Sequence, residues 1–186
     1  MTFTNLRDAT REDWDRIDAL DEARTDYAAA PLALLESLNG GDPAGYTLNP
    51  YDHSRQAATR ALRAGESSEF IVSVLFHDAA DRLAPANHGQ IAAEILRPFV
   101  SDDHYWMVKM HGLFQKENFT HHAYWGSGVL DAMLDPYRDH PAFELTQRFC
   151  RDYDATSFDP AYDALPVEAF MPQIREVFDR PYSYQA

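Results

Sequence analysis

Apolar positions recur along this chain at helical spacing, and no stretch alternates convincingly enough to predict a strand. Thr10-Arg11-Glu12-Asp13 reads as a capping box, a hydroxyl followed three residues on by a carboxylate. Trp14, Ile17, Leu20 and Ala23 then give the first helix one apolar face. Pro31 opens a short helix over 32–38, stopped by Gly40-Gly41, and 41–45 reads as a loop. Asn49-Pro50 places an N-cap before a first-turn proline and predicts a helix over 51–63 ending at Gly65. Ser67-Ser68-Glu69 starts the next, whose apolar run from Phe70 to Phe76 leads into His77-Asp78. Residues 79–85 form a connector. Asn87 is placed to cap a helix from His88 to Leu96, and Ser101-Asp102-Asp103 to start another, with acids at its positive end. The stretch 117–128 reads as an irregular loop or lid, carrying Phe119, His121, His122, Tyr124 and Trp125. Pro141 opens a helix from 142 to about 153, and Pro166 the last one, to about 178. The expected class is all-α, a compact helical bundle.

Composition narrows the setting. At 186 residues, 45% hydrophobic and 13% aromatic, the chain suits one ordered domain with a sizeable core. A net charge of -14 argues against nucleic acid and anionic membrane as partners, because nothing offsets phosphate repulsion. Only two lysines occur, Lys109 and Lys116, so an anionic substrate would be met by arginine, histidine or metal. The single Cys150 rules out an intramolecular disulfide. No run approaches the roughly 20 apolar residues of a membrane span, and the N-terminus lacks a signal-peptide core. A cytoplasmic protein is expected.

His77-Asp78 carries the chemistry. It follows a strongly apolar segment, so both side chains should be partly buried, and a buried carboxylate needs a cation, a metal or several donors. Imidazole nitrogen and carboxylate oxygen together suit Fe, Mn, Co or Zn. His53, His88 and His111 fall on three other successive helices. An acid from Arg151-Asp152-Tyr153-Asp154 could complete the set, with Asp152 and Asp154 both candidates by position.

The order His53, His77-Asp78, His88, His111, Asp154 resembles the HD-domain superfamily, in the branch with extra histidines for a second metal. The resemblance covers roughly 46–160, leaving 1–45 as a helical lead-in and 161–186 as a C-terminal helix packing on the core. The stretch from Tyr51 to Ala61 looks like the first-ligand helix of HD phosphohydrolases and of the phosphonate-cleaving, mixed-valent di-iron HD oxygenases. The same ligand order resembles, more distantly, that of myo-inositol oxygenase. The resemblance implies one metal held by His53, His77 and Asp154, a second held by His88 and His111, and Asp78 bridging. It favours Asp154 over Asp152, because the family sets its Asp after an aromatic at a helix end. The chain departs from the oxygenases where they carry a Lys four residues after the fourth His, which is Gln115 here, and where they have an acid upstream of the first His, here near Tyr46.

Three readings follow. A di-iron oxygenase would use O₂ on a small hydroxylated or amino substrate, with Tyr105, Trp106, Phe114, Tyr124 and Trp125 walling a dry pocket. A two-metal phosphohydrolase, with Mn or Co, would clamp phosphate with Arg55, Arg82 and Arg97. A decayed, metal-stabilised regulatory domain is the non-enzymatic alternative. The second-metal set and the scarcity of lysine favour the oxygenase. Candidate substrate contacts are Tyr46, Arg55, Asp81, Gln115 and Lys116. His104 reads as a helix-surface residue, His121-His122 as part of the lid, and His140 as exposed at a helix start.

Overall fold

The computed structural model describes residues 3–23, 25–43, 45–119, 121 and 127–180. Among them it is all-helical, without strands: α1 (Arg11–Glu22), α2 (Ala29–Glu36), α3 (Pro50–Arg63), α4 (Ser68–Phe76), α5 (His88–Leu96), α6 (Asp102–Phe114), α7 (Ser127–Leu134), α8 (Phe143–Phe149) and α9 (Met171–Phe178). None of these helices is long and apolar enough to cross a membrane.

Everything is arranged around α4. Its residues from Phe70 to Phe76 are all buried, so it is covered on every face, as a helix apolar all round must be. α3 and α9 flank it, and α6 carries α5 and α8 against the rest. Phe76 meets Phe178 of α9 edge-on at 5.8 Å, and Phe70 meets Phe149 and Tyr153 in the same manner. Each such side chain removed from water is worth roughly 1.5–3 kcal/mol. α3 presents Ala57, Ala58 and Ala61 to the core, and these small side chains let it approach α4 closely.

Local signals set several boundaries. Asn49 Oδ1 accepts from the Asp52 amide at 2.9 Å, with Pro50 following at the first helical position. Gly65, at φ 76°, ends α3, and the Glu66 amide reaches back to the Ala61 carbonyl. The Thr10–Asp13 capping box is present in full.

Other expectations are corrected. α1 forms, but Trp14 and Leu20 are 43% and 60% exposed. One apolar residue per turn, flanked by acids, makes too narrow a stripe to hold a helix on a core. α2 starts two residues before Pro31, which still lies in the first turn, where its missing N–H costs nothing. α4 stops at Phe76, and His77 and Asp78 sit in the turns that follow. Neither Asn87 nor Ser101 caps through its side chain; Glu69 Oε1 instead accepts from the Ser101 amide at 2.6 Å. The expected lid is a 3₁₀ turn over Gln115–Phe119 and, from Ser127, the unforeseen helix α7. Leu130 and Leu134, four apart and both buried, anchor α7. His122, Tyr124, Trp125 and Gly126 lie outside the described residues.

Candidate metal centre

Five segments converge beneath the C-terminal end of α4. His53 comes from the first turns of α3, and His77 and Asp78 from the turn after α4. His88 opens α5, and His111 occupies the last turn of α6. Asp154 closes a π-helical turn, Cys150–Asp154, that continues α8. That turn is closed by the Ala155 amide donating to the Cys150 carbonyl at 2.9 Å, five residues back. Widening the helix there carries Asp154 inward to full burial, while Asp152 stays outside, paired with Arg151 at 2.7 and 2.8 Å.

The four imidazoles share one arrangement. Nδ1 of His77 lies 2.7 Å from the Val74 carbonyl, that of His111 2.7 Å from Val108, and that of His88 2.9 Å from Pro85, each three residues back. Nδ1 of His53 lies 2.9 Å from the Ser157 carbonyl. A carbonyl oxygen only accepts, so each Nδ1 carries the hydrogen and donates it. In the neutral ring the lone pair is therefore on Nε2, and every Nε2 faces the cluster.

Those nitrogens and the carboxylates form two adjoining halves. In the first, Nε2 of His53 is 3.3 Å from Nε2 of His77 and 3.1 Å from Asp154 Oδ1, and Asp78 Oδ2 is 3.2 Å from His77 Nε2. In the second, Nε2 of His88 and His111 are 3.1 Å apart, and Asp78 Oδ1 lies 3.1 and 3.2 Å from them. Asp78 thus turns one oxygen to each half. Asp78 Oδ1 and Asp154 Oδ1 are enclosed, yet neither has a hydrogen-bond partner in spite of these short separations. Lone pairs facing lone pairs at about 3 Å repel unless a cation lies between them.

The separations fit a metal. Bonds of about 2.1 Å place neighbouring ligand atoms ~3.0 Å apart around an octahedral ion and ~3.4 Å apart around a tetrahedral one. His53, His77 and Asp154 form one group able to hold an ion, and His77, Asp78 and His111 another, the ligand atoms of each lying within 4.8 Å of one another. Charge argues the same way. Burial pushes both carboxyls up, but the imidazoles around them outweigh it, holding Asp78 well below the usual carboxylate range and Asp154 below it. Burial lowers His53 and His88, and the facing carboxylates overcome that, lifting each to about 9. The site calls for positive charge, which protons or a metal ion could supply.

Surrounding residues hold this geometry, and several gave no sign in the sequence. Gly89 is one. A Cβ built there would lie 2.9 Å from Cε1 and 3.0 Å from Nδ1 of His111, and 3.1 Å from the Val108 carbonyl. Gln56, buried on α3, donates to the Asp159 carbonyl at 2.8 Å and accepts from the Asp159 amide at 3.1 Å, pinning the segment that carries the Ser157 carbonyl. Phe158 stacks on His53 at 4.4 Å, and Phe149 meets His77 edge-on at 5.2 Å.

Beside His88 and His111 opens a cavity of about 320 Å³, whose walls also include Lys109, Gln115 and Lys116. The candidate substrate contacts fare unequally. Lys116 lines this cavity and donates to the Gly112 carbonyl at 2.8 Å, with burial lowering its ammonium pKa. Asp81 stands 3.5 Å from Nδ1 of His88, its carboxyl raised by burial and by the charge of Asp78. Gln115 points at Asp154, donating from Nε2 to Oδ2 at 2.6 Å. Tyr46 is 57% exposed and stacks on the outer face of Phe158, one ring removed from His53. Arg55 is not brought to the cluster: its guanidinium donates to the Ala164 and Leu165 carbonyls and pairs with Asp52.

The other two arginines read as phosphate ligands are also engaged elsewhere, Arg82 on the Ser37 carbonyl and Arg97 over the Tyr105 ring. Tyr105, Trp106 and Phe114 do not wall the cavity; they face Glu94, His140 and Phe143. His104 is half-buried against Glu69 at 2.8 Å, and His121 is exposed. His140 is only partly exposed, stacking on Trp106 at 4.0 Å and accepting from the Ala142 amide at 3.1 Å. The chain matches no model of a known protein family, and no curated protein matches it.

Proposed function

We propose that the protein is a two-metal enzyme of the HD-domain kind, an oxygenase that holds two iron ions as a mixed-valent Fe(II)/Fe(III) pair and uses O₂ on a small hydroxylated or amino substrate. One observation carries the reading. Four Nδ1-anchored histidines turn Nε2 toward two buried carboxylates, and Asp78 divides its oxygens between the halves. His53, His77 and Asp154 would hold one ion, His88 and His111 the other, with Asp78 bridging. Bound iron would supply the redox chemistry and the open positions for O₂ and a substrate heteroatom.

The residues divide the remaining work. His53, His77 and Asp154 are almost completely enclosed, which keeps bulk water from the first half. His88 is 20% exposed and borders the cavity, so substrate would reach the second half. Asp81 and Lys116 stand near that half, where they could orient a hydroxyl or amine. The chemistry of the donor set supports iron, since imidazole-rich sites with some carboxylate suit it.

The alternative is a two-metal phosphohydrolase using Mn or Co. It draws support from Lys109 and Lys116, the chain's only lysines, both lining the cavity. Against it, none of Arg55, Arg82 and Arg97 is directed at the cluster.

Metal analysis of the anaerobically purified protein, joined to O₂-uptake measurements on small hydroxylated, amino and phosphorylated compounds, separates the two. The oxygenase reading expects about two irons per chain and substrate-dependent O₂ uptake. Phosphate release with Mn or Co, and no O₂ uptake, would replace it with the hydrolase. His77→Ala should lose metal and activity together; a variant that kept both would remove the site itself.

A further inference from the structure

Gln115 lines the cavity and also reaches the first half of the cluster. It lies four residues after His111, one turn on, and so on the same side of α6. Its Nε2 donates to Asp154 Oδ2 at 2.6 Å. A carboxylate only accepts, which fixes the amide: nitrogen faces Asp154, and the carbonyl oxygen turns away from it. Asp154 is fully buried, and its other oxygen, Oδ1, is the atom 3.1 Å from His53 Nε2 that lacks a hydrogen-bond donor. The two oxygens of this carboxylate therefore have separate duties, one tethered and one presented.

We propose that Gln115 is a positioning residue for the metal centre: its amide clamps Asp154 Oδ2 so that Oδ1 is held toward His53 and His77. This rests on the two-metal reading and adds to it a residue that touches neither ion. α6 then serves both halves, the second directly through His111 and the first through Gln115.

An uncharged donor matters here. A cationic side chain at the same distance would orient the carboxylate equally well, but it would cancel the negative charge that attracts the ion. An amide keeps the orientation and leaves that charge to the metal. Removing an outer hydrogen bond of this kind lowers metal affinity by roughly 10–100-fold. Gln115 is only half-buried, so an apolar side chain of similar length fits its place, although Asp154 Oδ2 then loses its amide donor and some stability with it.

Cobalt titration of the metal-free protein provides the test, read through visible absorption bands and the amount bound. Wild type should take up two equivalents. Gln115→Met should weaken one of them by roughly 10–100-fold and shift its bands, and leave the other unchanged. Gln115→Asn, which retains the amide on a shorter stem, should recover part of the loss. Two equivalents bound by Gln115→Met with wild-type affinity, or both weakened alike, would overturn the positioning role while leaving the metal centre standing. If Gln115→Met does not fold, Gln115→Ala, which also lacks the amide, decides: wild-type affinity overturns the role, and weakening of one equivalent alone upholds it. A wild-type protein that binds no cobalt would remove the metal centre itself, and the role of Gln115 with it.

Discussion

Replacing Gly89 with alanine sets a methyl against the ring of His111. The new carbon would stand 2.9 Å from Cε1, 3.0 Å from Nδ1 and 3.1 Å from the Val108 carbonyl. Carbon contacts are comfortable at about 3.5–4.0 Å, so something must yield by roughly half an ångström or more. The Val108 carbonyl is backbone inside α6 and already accepts from His111 Nδ1 at 2.7 Å, so it cannot retreat freely. The ring must tilt, or α5 must move off α6. Overpacking of this kind costs about 1–3 kcal/mol, and up to about 1 kcal/mol returns because alanine favours a helix more than glycine does. The middle of these ranges is a net loss of about 1–2 kcal/mol, or roughly 2–8 °C in thermal midpoint for a chain of this size.

Metal binding should suffer more than stability. A displaced His111 breaks the 3.1 and 3.2 Å spacing with His88 and Asp78, and Gly89→Ala should weaken one metal equivalent. Gly112, on α6 next to His111, is the control. A Cβ there meets nothing within 4 Å, so Gly112→Ala should keep both metals and gain up to about 1 kcal/mol. Thermal melts of the metal-free variants with parallel cobalt titrations measure both effects. A Gly89→Ala protein as stable as wild type and equally able to bind two ions would refute the reasoning.

Two expectations concern pH. Facing carboxylates lift His53 and His88 to about 9, so at pH 7 a metal must displace protons from both. Loading the metal-free protein should release protons, and affinity should fall as pH drops below 9; calorimetry in buffers of different ionisation enthalpy reads the release, and none at pH 7 would contradict it. Glu69 gives a stability effect. Burial raises its pKa, but hydrogen bonds from Ser101 and the charges of His104 and Arg180 more than offset that, leaving it below its ordinary 4.5. A depressed carboxyl stabilises the fold above the unfolded value and loses that contribution as pH falls through the folded value. Glu69→Gln should therefore lower the urea midpoint at pH 7 and flatten its decline below about pH 4.5; an unchanged decline would show that Glu69 carries none of the acid sensitivity.

Chain-local chemistry was legible in the sequence. Asn49-Pro50, the Thr10 box and Gly65 act through neighbours within a few residues, and each does so in the structure. The apolar run before His77-Asp78 marked α4 as buried because hydrophobicity on every face leaves a helix no solvent side. What escaped depends on partners far along the chain. Glu69 takes the Ser101 amide from 32 residues away, and the Ser101 hydroxyl pairs with His104 Nδ1 at 2.8 Å instead of capping α6. Leu130 and Leu134 have the spacing of a helix, but Gly126 and Gly128 suggested loop. Asp152 and Asp154 are chemically equal in sequence, and only the widened turn separates an exposed ion pair from a buried carboxylate. Gly89 and Gln115 have meaning only once His111 and Asp154 are beside them.

The carbonyl anchors on the four histidines bear on how the centre fills. Three of the four are bonded to backbone within their own turn, so losing an ion releases none of those rings to rotate. Metal uptake would then be insertion into a standing frame, with little chain ordering to set against affinity. The half beside the cavity should exchange its ion faster than the enclosed half, and a brief exposure to chelator should leave a folded protein retaining a single ion, kinetically trapped behind His77.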